Sequence, residues 1–281
     1  MIGNIENLLS FAGEIHQKKE LKPILSEIGA VAQYLWERGW AERNAGNFSV
    51  NITRFFNDKE LDQFSTFPFF PLGRTHADLS RTLLIVSGMG TRMRDTAKNP
   101  VANVCILYIS DSGSAYHIIH PASEESSVRP TSELATHLAV HRQLIQHGSP
   151  EKTVLHAHVT ELIALTQVTS FATEKPLNAL LWGMHPETIL YLPDGVGFIP
   201  YDLAGTESIA QATVRGLGKH KAVIWEKHGC LSVGVSLSEA FDFLDIIAKS
   251  ARIYFLCKSA GMEPGGLTTA QMQQIRANLP R

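Results

Sequence analysis

The run His156-Ala157-His158, with His228-Gly229 far downstream and Pro130-Thr131-Ser132-Glu133-Leu134 just upstream, constrains this chain more than any other feature. Residues two apart on a strand face the same side, so a strand over 153–159 sends both imidazoles in one direction. A third imidazole from another strand end completes a neutral three-nitrogen set. Such a set suits a zinc ion that keeps one position open for substrate. The fold must then bring strand ends that are distant in sequence to one place. The competing reading is a polar strand face whose histidines are satisfied by ordinary hydrogen bonds.

Bulk properties narrow the partners. A chain of 281 residues, 44% of them hydrophobic, has ample material for a sizeable core. Its net charge of −2, with no block of Lys or Arg, supplies no field for nucleic acid. The start Met1-Ile2-Gly3-Asn4-Ile5-Glu6 carries no basic residue and the apolar stretch from Leu8 to Ala12 is short, so no signal peptide is expected. No apolar run is long enough to span a bilayer. Cys105, Cys230 and Cys257 are scattered without C-x-x-C spacing, which fits reduced packing thiols in a cytoplasmic enzyme.

Periodicity gives the elements. Apolar residues at helical spacing predict a helix over 22–40 that stops at Gly39. Strands are predicted at 48–53, 83–86 and 104–109, the last forming a hairpin with Tyr116–His120. The stretch Asn57–Asp78, rich in Phe and Pro, reads as a long loop or irregular strand pair. Helices follow over 132–147, 160–170 and 174–183, then a strand over Thr188–Leu192 that Pro193-Asp194-Gly195 turns back into 196–200. Gly205-Thr206-Glu207-Ser208 opens a helix to Leu217. Strands at 222–226 and 231–235 precede a long helix capped by Ser236-Leu237-Ser238-Glu239 and running to Ala260. The mixture predicts one α/β domain over 1–281: a central, mostly antiparallel or mixed sheet covered by helices, with the helical segment of about 1–40 packed on it.

Three segments look suited to anions. Glu133 falls in the first turn of a helix whose expected cap is Thr131 or Ser132, where free N–H groups and the helix dipole favour negative charge. A plain helix start explains the same residues. Asn44-Ala45-Gly46-Asn47 and Ser87-Gly88-Met89-Gly90 can each turn successive N–H groups inward as a nest, although ordinary turns have the same composition. Neither matches a nucleotide-binding fingerprint.

Taken in order, Gly39-Trp40-Ala41-Glu42-Arg43-Asn44-Ala45-Gly46-Asn47, Ile85-Val86-Ser87-Gly88-Met89-Gly90, Pro130-Thr131-Ser132-Glu133-Leu134, His156-Ala157-His158, Leu192-Pro193-Asp194-Gly195-Val196-Gly197 and His228-Gly229 resemble the class II, zinc-dependent aldolase family. The likeness runs from about residue 25 to about 260. It implies a three-layer α/β/α sandwich, a homotetramer with active sites at subunit interfaces, and cleavage of ketose 1-phosphates to dihydroxyacetone phosphate and an aldehyde. By the same resemblance, His156, His158 and His228 are zinc ligands and Glu133 is the acid/base. Asn44, Asn47, Gly90, Thr131 and Ser132 fall on phosphate-binding positions. Glu187 matches a second acid that reaches a neighbouring subunit's site in part of the family, with a solvated surface glutamate as the alternative.

Two departures stand out. Met89 occupies a position where a small hydroxyl residue is expected, so a phosphate contact there must use its backbone N–H. Arg92 and Arg94 follow where one basic residue and aromatics are familiar, and each is either phosphate support or a solvated loop cation. A sugar-phosphate 4-epimerase or a thioribulose-phosphate dehydratase on the same fold would share the three histidines. A non-catalytic scaffold of the cytoskeletal type would be expected to lose them or the glutamate, and all four are present.

Overall fold

The structure, a computed structural model, describes residues 15, 18–119 and 128–279. The N-terminal stretch read above for a signal peptide and the end of the hairpin at His120 lie outside the described residues.

Chain order begins with α1 (Leu21–Glu37), whose buried face of Leu21, Leu25, Ile28, Val31, Ala32 and Leu35 follows the helical period. Strand β1 (Asn47–Asn51) is followed by α2 (Asp58–Phe64), β2 (Phe69–Pro71), β3 (Leu83–Ser87), α3 (Met93–Thr96), β4 (Val104–Ile109) and β5 (Ala115–Ile119). Next come α4 (Leu134–Gln146), β6 (Thr153–Ala157), α5 (Thr160–Thr166), α6 (Glu174–Met184), α7 (Pro186–Tyr191) and β7 (Gly197–Ile199). Then α8 (Glu207–Leu217), β8 (Ala222–Trp225), β9 (Gly229–Gly234), α9 (Leu237–Ser259) and α10 (Thr269–Ala277) complete the described chain.

Among the described residues, nine strands join one sheet in the order β2-β5-β4-β3-β1-β6-β9-β8-β7. Every neighbouring pair is antiparallel except β7 with β8, which the α8 crossover makes parallel. Side chains alternate across this sheet with period two. Phe48, Val50, Leu83, Ile85, Ile106, Tyr108, Leu155, Ala157, Ile224 and Cys230 pack on one face with α1, α5, α6 and α9. On the other face, Val154, Val223, Trp225, Leu231 and Val233 meet α4 and α8, and Leu84, Val86, Cys105 and Leu107 meet Leu138 of α4. The expected α/β/α layering is therefore observed.

Three readings of the sequence need correction. The strand expected at Thr188–Leu192 is the helix α7, opened by Pro186 at its first turn. Its β-branched Thr188 and Ile189 imitate a strand. The buried positions are Thr188, Ile189 and Leu192, a helical spacing, and the Leu192 N–H donates to the Thr188 carbonyl. With no strand there, β7 is not the return arm of a hairpin. Within Asn57–Asp78, read as irregular, a reciprocal capping box between Asn57 and Glu60 nucleates α2. Helix α10, which sequence reading left out, opens with a second capping box, Thr268 with Gln271, and is tied down where Arg276 donates to the Pro193 carbonyl at 2.7 Å.

Candidate metal centre

One end of the central strands gathers the chemistry. Asn47 at the start of β1 lies opposite His156 near the end of β6, and Ala157 pairs with Cys230 at the start of β9. His228 sits in the β8–β9 turn and His158 one residue beyond β6. Antiparallel pairing thus converts distance along the chain into adjacency. The rings of His156, His158 and His228 form a near-equilateral triangle, with centroids 5.3, 5.0 and 5.0 Å apart. One nitrogen from each lies within 4.8 Å of the other two.

Hydrogen bonds aim these nitrogens. His156 Nδ1–H donates to the Cys230 carbonyl at 3.0 Å, leaving Nε2 as a lone pair in a fully buried position without a partner. His158 Nδ1–H donates to Glu42 Oε1 at 2.7 Å, the carboxylate–histidine arrangement that orients a metal ligand and raises its basicity. Trp225 stacks on His156 at 4.4 Å and lies 5.1 Å from His228, an apolar wall behind the triad. Burial, and then repulsion from its neighbours His158 and His228, pushes the pKa of His156 well down. Burial and His158 bring that of His228 to about 4. Neutral imidazoles with converging lone pairs are the state a divalent cation requires. An orphaned buried nitrogen otherwise costs about 1–3 kcal/mol, so the donor set fits an ion better than it fits an empty core.

Glu133 completes the arrangement. Its Oε2 is buried without a hydrogen-bond partner, 3.9 Å from His156 Nε2. Burial raises the Glu133 pKa, while the Asn47 amide and His158 pull in the opposite direction. Glu133 occupies the N-cap position of α4, not the first turn, and neither Thr131 nor Ser132 caps that helix. The Thr131 hydroxyl instead accepts the Glu133 N–H at 3.3 Å, while the Leu134 N–H bonds to the Thr131 carbonyl. That turn holds the carboxylate over the histidines.

A cavity of about 190 Å³ opens beside the triad, lined by Asn44, Asn47, Gly90, Thr131, Ser132 and Glu133, together with His158 and His228. All five residues expected at phosphate positions therefore converge. Gly46 and Gly90 hold the positive φ values, 78° and 74°, that the nest reading required. Among the described residues, the N–H groups of Gly90 and Ser132 donate to no protein acceptor. The Met89 N–H, assigned above to phosphate, is already committed to the Arg129 carbonyl at 2.7 Å, which removes it from that role. Arg94 lies over the Trp36 ring, and neither it nor Arg92 lines the cavity. Glu187 does not line it either; its carboxylate lies 2.9 Å from His185 Nε2.

Sequence reading missed Glu42 and Trp225. Glu42 stands inside the Glu42-Arg43-Asn44 run that carried the resemblance, but only the tertiary structure shows its carboxylate on His158. Trp225 precedes the turn that carries His228 and reads as one more buried strand residue.

Known proteins resemble this chain over most of its length. A rhamnulose-1-phosphate aldolase of Bacteroides thetaiotaomicron is 38% identical over 269 residues, covering 95% of this chain and 98% of that protein. One from Listeria welshimeri is 33% identical over 232 residues, 83% of this chain and 82% of that protein. The crystal structure of a sugar-phosphate aldolase from Thermotoga maritima superposes with a TM-score of 0.74 at 27% identity, covering 88% of this chain and 100% of that one. Residues 26–255 match the model of the class II aldolase and adducin N-terminal domain, and the chain belongs to that family.

Proposed function

We propose that this protein is a zinc-dependent lyase that reversibly cleaves L-rhamnulose 1-phosphate to dihydroxyacetone phosphate and L-lactaldehyde. The observation that carries the reading is the unpartnered, fully buried His156 Nε2 converging with His158 and His228 beside the Glu133 carboxylate. The substrate assignment draws on relatives named rhamnulose-1-phosphate aldolase that align over nearly the whole chain.

Cleavage breaks the C3–C4 bond, releases the proton of the C4 hydroxyl and requires a proton at C3. His156, His158 and His228 would hold a zinc ion, which would supply Lewis acidity to stabilise the negative charge that develops on cleavage. Glu133 delivers and removes the proton at C3, with burial holding its pKa above the ordinary carboxylate value and nearer that of a working acid. Thr131, Ser132, Asn44, Asn47 and the Gly90 N–H take the phosphate and orient the sugar. Glu187 sits outside the cavity of its own chain, so its proposed part, managing the proton on the C4 oxygen, is played in a neighbouring chain's site. That role goes with a homotetramer whose sites lie at subunit interfaces.

The reading treats residues 1–281 as a single domain and the protein as cytoplasmic. Among the described residues no helix is long and apolar enough to cross a membrane. The test joins metal analysis to product detection. Purified enzyme is expected to hold about one zinc per chain. Released dihydroxyacetone phosphate, reduced by glycerol-phosphate dehydrogenase, should track rhamnulose 1-phosphate consumption. An active metal-free protein, or turnover of sugar phosphate without release of the triose, refutes it; the second result points to epimerisation or dehydration.

A further inference from the structure

Behind the anion-binding wall runs a line of buried hydrogen bonds that the aldol reading does not use. Asn47 Oδ1 lies 2.7 Å from His137 Nε2, His137 Nδ1 lies 2.7 Å from Ser49 Oγ, and Ser49 Oγ lies 2.8 Å from His141 Nε2. Ser49 and Asn47 are on β1, the two histidines are one turn apart on α4, and all four are buried. Burial holds both imidazoles at a pKa of about 3, so each is neutral and carries one N–H.

The Ser49 hydroxyl has one hydrogen and, among the described residues, no partner besides these two imidazoles, so it donates to one histidine and accepts from the other, which leaves two arrangements of protons. In the first, Ser49 donates to His137 Nδ1, His137 donates from Nε2 to the Asn47 amide oxygen, and His141 donates from Nε2 to Ser49. In the second, Ser49 donates to His141, His137 donates from Nδ1 to Ser49, and His137 Nε2 becomes an acceptor. That second arrangement would force the Asn47 amide to turn over and present its oxygen outward. The outward side decides between them. Asn47 faces the Glu133 carboxylate and lines the cavity with Thr131, Ser132 and Gly90. A carboxylate and a phosphate both accept hydrogen bonds, so an amide oxygen facing them is repelled and an amide N–H₂ is bound.

We propose that His137 is a positioning residue: its Nε2–H grips the Asn47 carbonyl oxygen from inside the core, so that the amide nitrogen is held as a donor toward Glu133 and the bound anion. Ser49 and His141 set the tautomer that makes this possible. Fully satisfied buried polar chains specify one geometry, which suits a residue that must meet substrate without reorganising. The orientation of the amide stands on the hydrogen-bond line alone. Its use on a substrate phosphate rests on the aldolase reading.

Two measurements on the intact holoenzyme separate those parts. In 15N-histidine-labelled protein, solid-state NMR reads the ring tautomers, with the His137→Gln and His141→Gln variants assigning signals by their loss. Both histidines are expected neutral with the proton on Nε2; a proton on Nδ1 of His137 overturns the proposal whether or not the protein is an aldolase. In kinetics, His137→Gln keeps a donor near the Nε2 position, whereas His137→Leu removes it. The Leu variant is expected to retain stoichiometric zinc while kcat/KM for the phosphorylated sugar falls about 10–100-fold. The Gln variant should recover most of that loss, which a role in stability alone does not predict. Equal kcat/KM for the Leu variant and the wild type refutes the role, and if the Leu variant fails to fold, the tautomer measurement decides.

Discussion

His141 offers a sharp test of how the interior of this protein responds to acid. Its imidazole is 1% exposed, and burial, followed by repulsion from Lys152, lowers its pKa from 6.5 to about 3. The unfolded chain takes up a proton at this position as pH drops below 6.5, whereas the native protein takes none until pH approaches 3. Stability from this group is therefore complete above pH 6.5 and is lost as pH falls between those values. The slope is about 1.4 kcal/mol per pH unit, amounting to about 5 kcal/mol by pH 3. A domain's whole stability is about 5–15 kcal/mol, so this one ring matters. The perturbation is His141→Gln, which keeps a donor toward Ser49 but cannot titrate. Urea unfolding followed by circular dichroism, in chelator and at fixed protomer concentration, gives stability at half-unit steps from pH 7 to 4. The wild type should lose about 2.5 kcal/mol more than the variant between pH 6 and pH 4. Parallel curves would show that His141 is protonated, or solvated, in the native state and would refute the argument.

Three further outcomes follow from the site and its supports. Glu133→Gln should fold and bind zinc normally, yet lose about 10²–10⁴-fold in kcat, as read by triose-phosphate release and metal analysis of the same sample. Glu42→Gln removes the carboxylate from His158 Nδ1 and should weaken zinc binding about 10–100-fold in a chelator competition, with little change in unfolding midpoint for the metal-free protein. Thr206→Ala deletes the hydroxyl that accepts the Ile209 N–H at the start of α8 and should cost about 1 kcal/mol in urea unfolding while leaving kcat unchanged.

Much of this architecture is local enough to be legible without coordinates. The period of α1, the capping residues Thr206 and Ser236, and the buried runs of β3 and β4 each announce an element through propensity and pattern acting over a few residues. Errors arose where short-range signals conflict: β-branched residues in α7 imitate a strand, and the aromatics around α2 obscure its capping box. The three converging histidines were readable as candidate metal ligands because H-x-H spacing and a histidine–glycine turn are local devices. Partners that act on those ligands were not, since Glu42 reaches His158 across 116 positions and Asn47 reaches His137 across 90. The Met89 N–H is likewise spent on the Arg129 carbonyl, a partner too distant in the chain for any local pattern to signal.

By itself, then, the sequence determined which side chains could bind a cation and an anion, and which segments would be helix or strand wherever one period dominated. Tertiary structure decided which lone pairs converge, which donors are already spent, and which way a buried amide must face. The physical reason is range: propensities and caps act over a turn or two, whereas the direction of a hydrogen bond depends on groups that only strand pairing and helix packing bring within 3 Å.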